Sequence, residues 1–394
     1  STRGAETAVD PRGGFVAGWI RGGGREATVF LATRPEDGGW SAPAHVPGTR
    51  GVGDYRLAIA EDGERVLAWT TGRVVKASRR APGGSWTEPT VLHRTRDGVL
   101  PAYVDLAVNH RGRAVVAWQT ADDDADLQRL RSRAQAVIGD ATGRWSAVRT
   151  LSSRADAALP EVAVDRRGRA TVAWAEWVGR RSWVMTASHE TGEGWGASAA
   201  LSRRGGDAGI PHLAANAAGE VAVAWYVRGD DFTAIRVRRW DPSSGWLPAA
   251  TVPDVRVDIW WVDAAMDGVG TVTVTWSNEA HAVWSATQDG SGAWSRQRIA
   301  PVGSVYYGMT VVVNPLGDTL VGWQAKGGAS HPVQVAHSPR SSGWGSAVVL
   351  SAVPGNAYGP ALAISRHGDA VAAWAFERGR TGEGRVQARM LEAG

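Results

Sequence analysis

The sequence predicts an all-β fold, an eight-bladed β-propeller. Three observations carry this prediction. A Gly followed six residues later by a Trp recurs at Gly13/Trp19, Gly63/Trp69, Gly112/Trp118, Gly168/Trp174, Gly219/Trp225, Gly270/Trp276, Gly317/Trp323 and Gly368/Trp374. Successive Trp positions differ by 50, 49, 56, 51, 51, 47 and 51 residues, a period typical of propellers and solenoids. A unit holds four strand-like pieces, and no stretch shows a sustained helical period.

The pieces are clear around Trp174. "EVAVD" is short and alternating. "ATVAW" is β-branched and ends on the frame Trp. "WVMTAS" follows, and "WGASAALS" opens on a second Trp. That second Trp recurs at positions 40, 86, 145, 195, 246, 294 and 344, usually after Gly. Four strands make one propeller blade. The 394 residues therefore read as a single domain with blades near 1–50, 51–97, 98–153, 154–204, 205–255, 256–304, 305–354 and 355–394. The chain ends at "RVQARMLEAG", where an eighth Trp-led strand would begin. Either the last blade is three-stranded or residues missing from the given chain close the ring; an unpaired edge there is a liability.

Repeating residues read as scaffold. Three residues before each frame Gly stand Asp10, Ala60, Asn109, Asp165, Asn216, Asp267, Asn314 and Ser365. Seven of these eight carry a side-chain oxygen that can bond turn amides, and Gly supplies the positive φ. A catalytic residue appears once, whereas these recur. The two Trp columns take fifteen of the 21 Trp and read as large apolar plates between blades.

"VAVDRRGRATVAW" is similar to the NHL pattern of strand, Asp, turn Gly and strand. The unit also resembles Asp-box (BNR) blades across nearly the whole chain. It departs from the Asp-box pattern Ser-x-Asp-x-Gly-x-x-Trp, because here Asp to Gly is three residues and Gly to Trp is six. The resemblance implies propeller architecture and no particular activity.

Composition narrows the classes. With 43% hydrophobic and 21% charged residues, the chain is not of disordered type. The net charge of +4 is mild, almost all Arg, and forms no basic block that would track a phosphate backbone; nucleic acid is not an expected partner. Cys is absent, which removes disulfides and thiolate metal sites. No apolar run is long enough for a membrane span. The given chain carries no signal peptide, and the resemblance together with the absent Cys leads us to expect a secreted or cell-surface protein.

Function is expected where the blades differ. Seven residues before each frame Gly, at the start of the innermost strand, stand Glu6, Arg56, Asp105, Glu161, His212, Asp263, Thr310 and Ala361. Two residues further on, seven of the eight blades carry Ala, which suits a crowded axis. Tyr55, Tyr103, Tyr306, Tyr307 and Tyr358 lie in the same lead-in loops, with Trp260 and Trp261, and Tyr226 follows Trp225. All six Tyr are thus expected near one mouth. Loops after the second strand add Gln119, Glu176, Trp177, Asn278, His281, Gln324 and Glu377.

Aromatic faces beside hydroxyls and carboxylates suit a sugar or another polar organic ligand. The expected partner is a glycan or polysaccharide, with Tyr55, Arg56, Tyr103, Tyr226, Trp260, Trp261, Asp263, Tyr306, Tyr307 and Tyr358 as binding residues. Two alternatives stay open. A polysaccharide lyase or glycosidase at the same mouth would use His212, Glu161 and Asp105 for proton transfer. An interaction scaffold would instead meet a surface protein. The bland reading of the column is that its acids pair with each other and with backbone across blades. No GxSxG, HExxH or Walker motif is present. Blade three inserts "ADDDADLQ", with Asp122, Asp123, Asp124 and Asp126. Close carboxylates can hold Ca²⁺, but EF-hand spacing is absent, so a solvated acidic loop and no cofactor are expected.

Overall fold

The structure is a computed structural model that describes residues 2–392 apart from 123–131, 154–155, 180, 203–206, 230–232, 256–257, 328–329, 341, 352–354 and 378–383. The chain is an all-β, eight-bladed β-propeller. Among the described residues one 3₁₀ turn, Gly24–Glu26, is the sole helical element.

Each blade is an antiparallel meander in chain order. Blade four runs Ala157–Val164, Ala170–Val178, Arg181–Glu190, then the short pieces Gly194–Trp195 and Ala199–Ala200. The second strand of a blade is buried on both faces, and strand periodicity says why. In blade three, Ala114, Val116 and Trp118 pack with Val66, Ala68 and Val75 of blade two. The alternate residues Val115 and Ala117 pack with Val162, Val172 and Trp174 of blade four. The frame Trp therefore faces the preceding blade. Seven frame Trp, from Trp69 to Trp374, are at most 2% exposed; Trp19 is half-buried and stacks on Phe30.

The second Trp column differs from its expected role as buried plates. All seven are half-buried, because the fourth strands are short outer pieces such as Arg149–Thr150 and Val348–Val349. Blades two and six carry longer pieces, Thr90–Arg94 and Trp294–Ala300. The eighth sheet has three strands among the described residues: Asn356–Ile364, Ala370–Glu377 and Arg385–Leu391.

The turn frame is structural. The frame Gly all have positive φ, from 74° at Gly112 to 99° at Gly317. Asp165 Oδ1 accepts the amide of Arg169 at 2.8 Å. Asn109, Asn216, Asp267 and Asn314 each accept two turn amides in the same way. In blade two, where the column holds Ala60, Asp62 accepts the amide of Glu64 instead.

The blades fall into two compact units. One holds blades two to five, whose first strands pack side by side in chain order. The other holds blade one and blades six to eight. There the first strand of blade eight packs on that of blade one, Thr2–Val9, and Phe15 joins Ala363 and Val371. Thr2 Oγ1 donates to the carbonyl of Gly384 at 2.7 Å, tying the first blade to the last strand.

Candidate functional site

The lead-in to the first strand is bulged in seven blades, and in blade five the strand is broken between Ala208 and His212. A bulge bends the strand and re-aims the side chains beside it. Two residues before the polar column, Gly4, Gly308 and Gly359 take φ of 64°, 57° and 52°. Blades three and four place Tyr103 and Leu159 there, at φ 51° and 52°. A left-handed backbone costs a residue with a Cβ about 1–2 kcal/mol. Tyr103 is held in it with its ring 54% exposed.

In the unit of blades two to five, the polar column forms two pairs. Arg56 Nε lies 3.6 Å from Asp105 Oδ1. His212 Nδ1 lies 3.2 Å from Glu161 Oε1. Each carboxylate also has a backbone duty. Asp105 Oδ2 accepts the amide of Val162 at 2.8 Å, and Glu161 Oε2 accepts that of Leu213 at 2.6 Å. In blade two, where the column holds Arg56, Asp54 accepts the amide of Val104 at 3.1 Å. The rule holds in the other unit, where Asp263 Oδ2 accepts the amide of Val311 at 2.9 Å. The column acid of one blade thus caps the first strand of the next. Removal from water pushes the Asp105 carboxyl up to about 6, with Arg56 opposing and Glu161 adding to the rise.

In the unit of blades one and six to eight, the same lead-ins carry rings. Trp260, Tyr306, Tyr307 and Tyr358 are 52%, 49%, 57% and 40% exposed. Trp261 meets Tyr307 edge-on at 4.8 Å between centroids, joining blades six and seven. Within blade six, His281 sits edge-on to Trp260 at 4.5 Å. Within blade seven, His331 stacks on Tyr306 at 3.6 Å. Both His come from the loop after the second strand. His331 was not among the sequence-derived candidates, although its loop position is like that of His281.

Several expected positions lie elsewhere. Tyr55 is 1% exposed, a core ring with no face for a ligand. The Tyr226 ring covers Gly209, where a Cβ would lie 2.1 Å from it. Gln119, Glu176 and Gln324 are 9%, 2% and 1% exposed, because they fall inside second strands rather than in loops. Glu176 accepts from the Trp174 indole at 3.0 Å and from Ser153 Oγ at 2.8 Å, a packing role. Asp123, Asp124 and Asp126 lie outside the described residues. Among the described residues no group of three or more His, Asp or Glu is placed to hold a metal, and no helix is long and apolar enough to cross a membrane.

Fold and site together define the class as an eight-bladed β-propeller with paired polar residues on one group of lead-ins and exposed rings on another. No protein-family model matches the chain, and no curated protein matches it significantly. Solved structures do. The chain is similar to polysaccharide lyase Uly1, at 10% identity over 88% of this chain and 93% of that one, with a TM-score of 0.54. It is more weakly similar to a PL25 ulvan lyase, at 10% identity over 75% and 78%, TM-score 0.49. A six-bladed fucose-recognising lectin of Aleuria aurantia follows, at 15% identity over 76% and 94%, TM-score 0.41. At 10% identity the likeness to Uly1 is one of fold alone and is silent on chemistry.

Proposed function

We propose that the protein binds a glycan, and that the aromatic platform of blades six to eight stacks on its sugar rings. The observation that carries the reading is four large rings, Trp260, Tyr306, Tyr307 and Tyr358, that are 40–57% exposed and do not repeat from blade to blade. Buried frame rings are explained by packing, and these are not. Indole and phenol rings offer an apolar face for sugar C–H groups and a polar edge for hydroxyls. His281 and His331 fix two of the rings, which reduces the ordering cost of binding. A glycan-binding propeller of this kind acts outside the cell or on its surface. The test is a panel of neutral and acidic polysaccharides. Tyr307→Ala or Trp260→Ala should weaken the bound member by roughly 1–3 kcal/mol, the burial value of an aromatic ring. Binding untouched by both substitutions removes the platform from function and leaves an interaction scaffold.

A second reading, a polysaccharide lyase or glycosidase, is favoured by one feature of blades two to five. His212 and Glu161 are paired at 3.2 Å, and the Asp105 carboxyl stands near 6 beside them, with Tyr103 left-handed at the bulge of the same first strand as Asp105. General acid–base catalysis contributes about 10²–10⁴-fold. Release of unsaturated or reducing ends, lost in His212→Ala while binding persists, would establish this reading. No product from any polysaccharide in the panel would dismiss it.

A further inference from the structure

We propose a second, lateral sugar site in the groove between blades four and five. It is independent of the aromatic platform and takes one neutral pyranose ring. The strand register explains why a groove opens here. The third-strand residue at this level is Arg79 in blade two, Ile138 in blade three, Ser188 in blade four, Arg239 in blade five, Thr287 in blade six, His337 in blade seven and Met390 in blade eight. Ser188 is the smallest of them. In blade two the Arg79 side chain, 7% exposed, plugs the corresponding place. It reaches the carbonyls of Gly112 and Asp140 in the next blade at 2.8 and 3.0 Å and lies over Trp145. With Ser188 in its place, a groove of about 360 Å³ remains. That is the low end of the range of small-ligand pockets, about 300–1,000 Å³.

The groove is walled by Trp195, Trp240 and Trp246. Trp195 and Trp246 belong to the repeated column. Trp240 does not: its partners in register are Arg80, Gly139, His189, Gln288, Ser338 and Leu391. The non-repeating Trp of blade five therefore stands at the groove left open by Ser188. Trp240 meets Trp246 edge-on at 5.7 Å. Arg169 lies 3.9 Å over the Trp240 ring and is held by Glu190 at 2.6 Å, Ser188 Oγ at 2.6 Å and Thr171 Oγ1 at 2.8 Å.

This arrangement selects the ligand. The Arg169 charge is already compensated by Glu190, so an anionic sugar gains nothing and meets the Glu190 carboxylate. A neutral ring lays its C–H face on an indole and gives hydroxyls to the Glu190 oxygens, where charge-assisted bonds are strongest. Larger chains are accommodated by the open side of the groove, with only the terminal residue inside.

The test uses neutral methyl hexosides and free glucuronate, with tryptophan fluorescence and calorimetry on the whole protein. We expect at least one neutral hexoside to bind with one-to-one stoichiometry and glucuronate not to bind. Trp240→Gln, which copies blade six, should weaken that hexoside at least tenfold. Ser188→Arg, which copies blade two, should abolish its binding. Both variants carry residues the fold already uses in register, and unchanged melting confirms that they fold. Ser188→Arg made in Tyr307→Ala protein should remove the hexoside binding that protein retains, which separates this site from the platform. No hexoside binding by the wild type or by Tyr307→Ala protein, or binding by the latter that survives Ser188→Arg, overturns the proposal.

Discussion

The first-strand lead-ins of blades two to four carry acids that serve the next blade, as Asp263 does in blade six, while those of blades six to eight also carry exposed rings. In blades two to four the acids Asp54, Asp105 and Glu161 each accept a first-strand amide of the next blade. In blades six to eight Trp260, Tyr306, Tyr307 and Tyr358 stand 40–57% exposed, and the first three meet a ring edge-on or stacked: Trp260 with His281, Tyr306 with His331 and Tyr307 with Trp261. Both sets vary along the chain, so variation alone does not mark a ligand site. A first strand pairs on one side only and leaves outward amides that need an acceptor, and an acid one blade earlier meets that need. Nothing in the backbone asks for an exposed Trp or Tyr.

The largest effect expected from this contrast is at Glu161. Glu161→Ala leaves the Leu213 amide without its side-chain acceptor and should cost about 1–3 kcal/mol in a denaturant titration. Glu161→Gln keeps an acceptor and should recover most of that. If the alanine variant is as stable as the wild type, the capping role is wrong and the acid is free for a ligand.

Asp105 sharpens the comparison through pH. Its carboxyl stands near 6, above the ordinary carboxylate value. The folded chain therefore holds this proton more tightly than the unfolded chain does. Its contribution is fully present below about pH 4 and is lost as pH rises through about 6. Asp105→Asn retains an oxygen for the Val162 amide and removes the titration. Wild-type melting temperature should fall relative to the variant between these pH values; parallel curves would show that Asp105 is not buried from water as described.

Tyr103 gives a smaller effect of opposite sign. Tyr103→Gly relieves the left-handed strain of about 1–2 kcal/mol but adds the entropy of Gly, roughly 0.5–1 kcal/mol. Melting temperature should be unchanged or slightly raised. A clear loss of stability would mean that the ring packs, despite its 54% exposure.

The smallest effect on stability is expected at the platform. Trp260→Ala should stay within about 0.5 kcal/mol, as exposed substitutions usually do. A cost near the 3–5 kcal/mol of a buried Trp would erase the distinction between the two groups of blades.

Much of the fold was legible because its chemistry is local and periodic. The Asp or Asn, the Gly and the frame Trp sit within nine residues of one another, and each acts on its own turn or strand. The candidate site was legible only in part. Trp260, Trp261, Tyr306 and Tyr307 do share one region, while Tyr55 points into the core and Gln119, Glu176 and Gln324 lie within strands. A one-residue bulge reverses which face a side chain takes, and no residue type in the lead-ins announces it; Tyr103 occupies a place where other blades use Gly.

By itself, then, the sequence determined the strand content, the eight-fold repeat, the turn chemistry and which residues do not repeat. Tertiary structure alone decided what those unrepeated residues face. Whether Glu161 meets a ligand or the amide of Leu213, and whether a groove beside Trp240 is plugged or open, depends on residues about 50 positions away in the neighbouring blade. Such pairings are set by register across sheets, where the partner of a side chain is fixed by packing rather than by its neighbours in the chain.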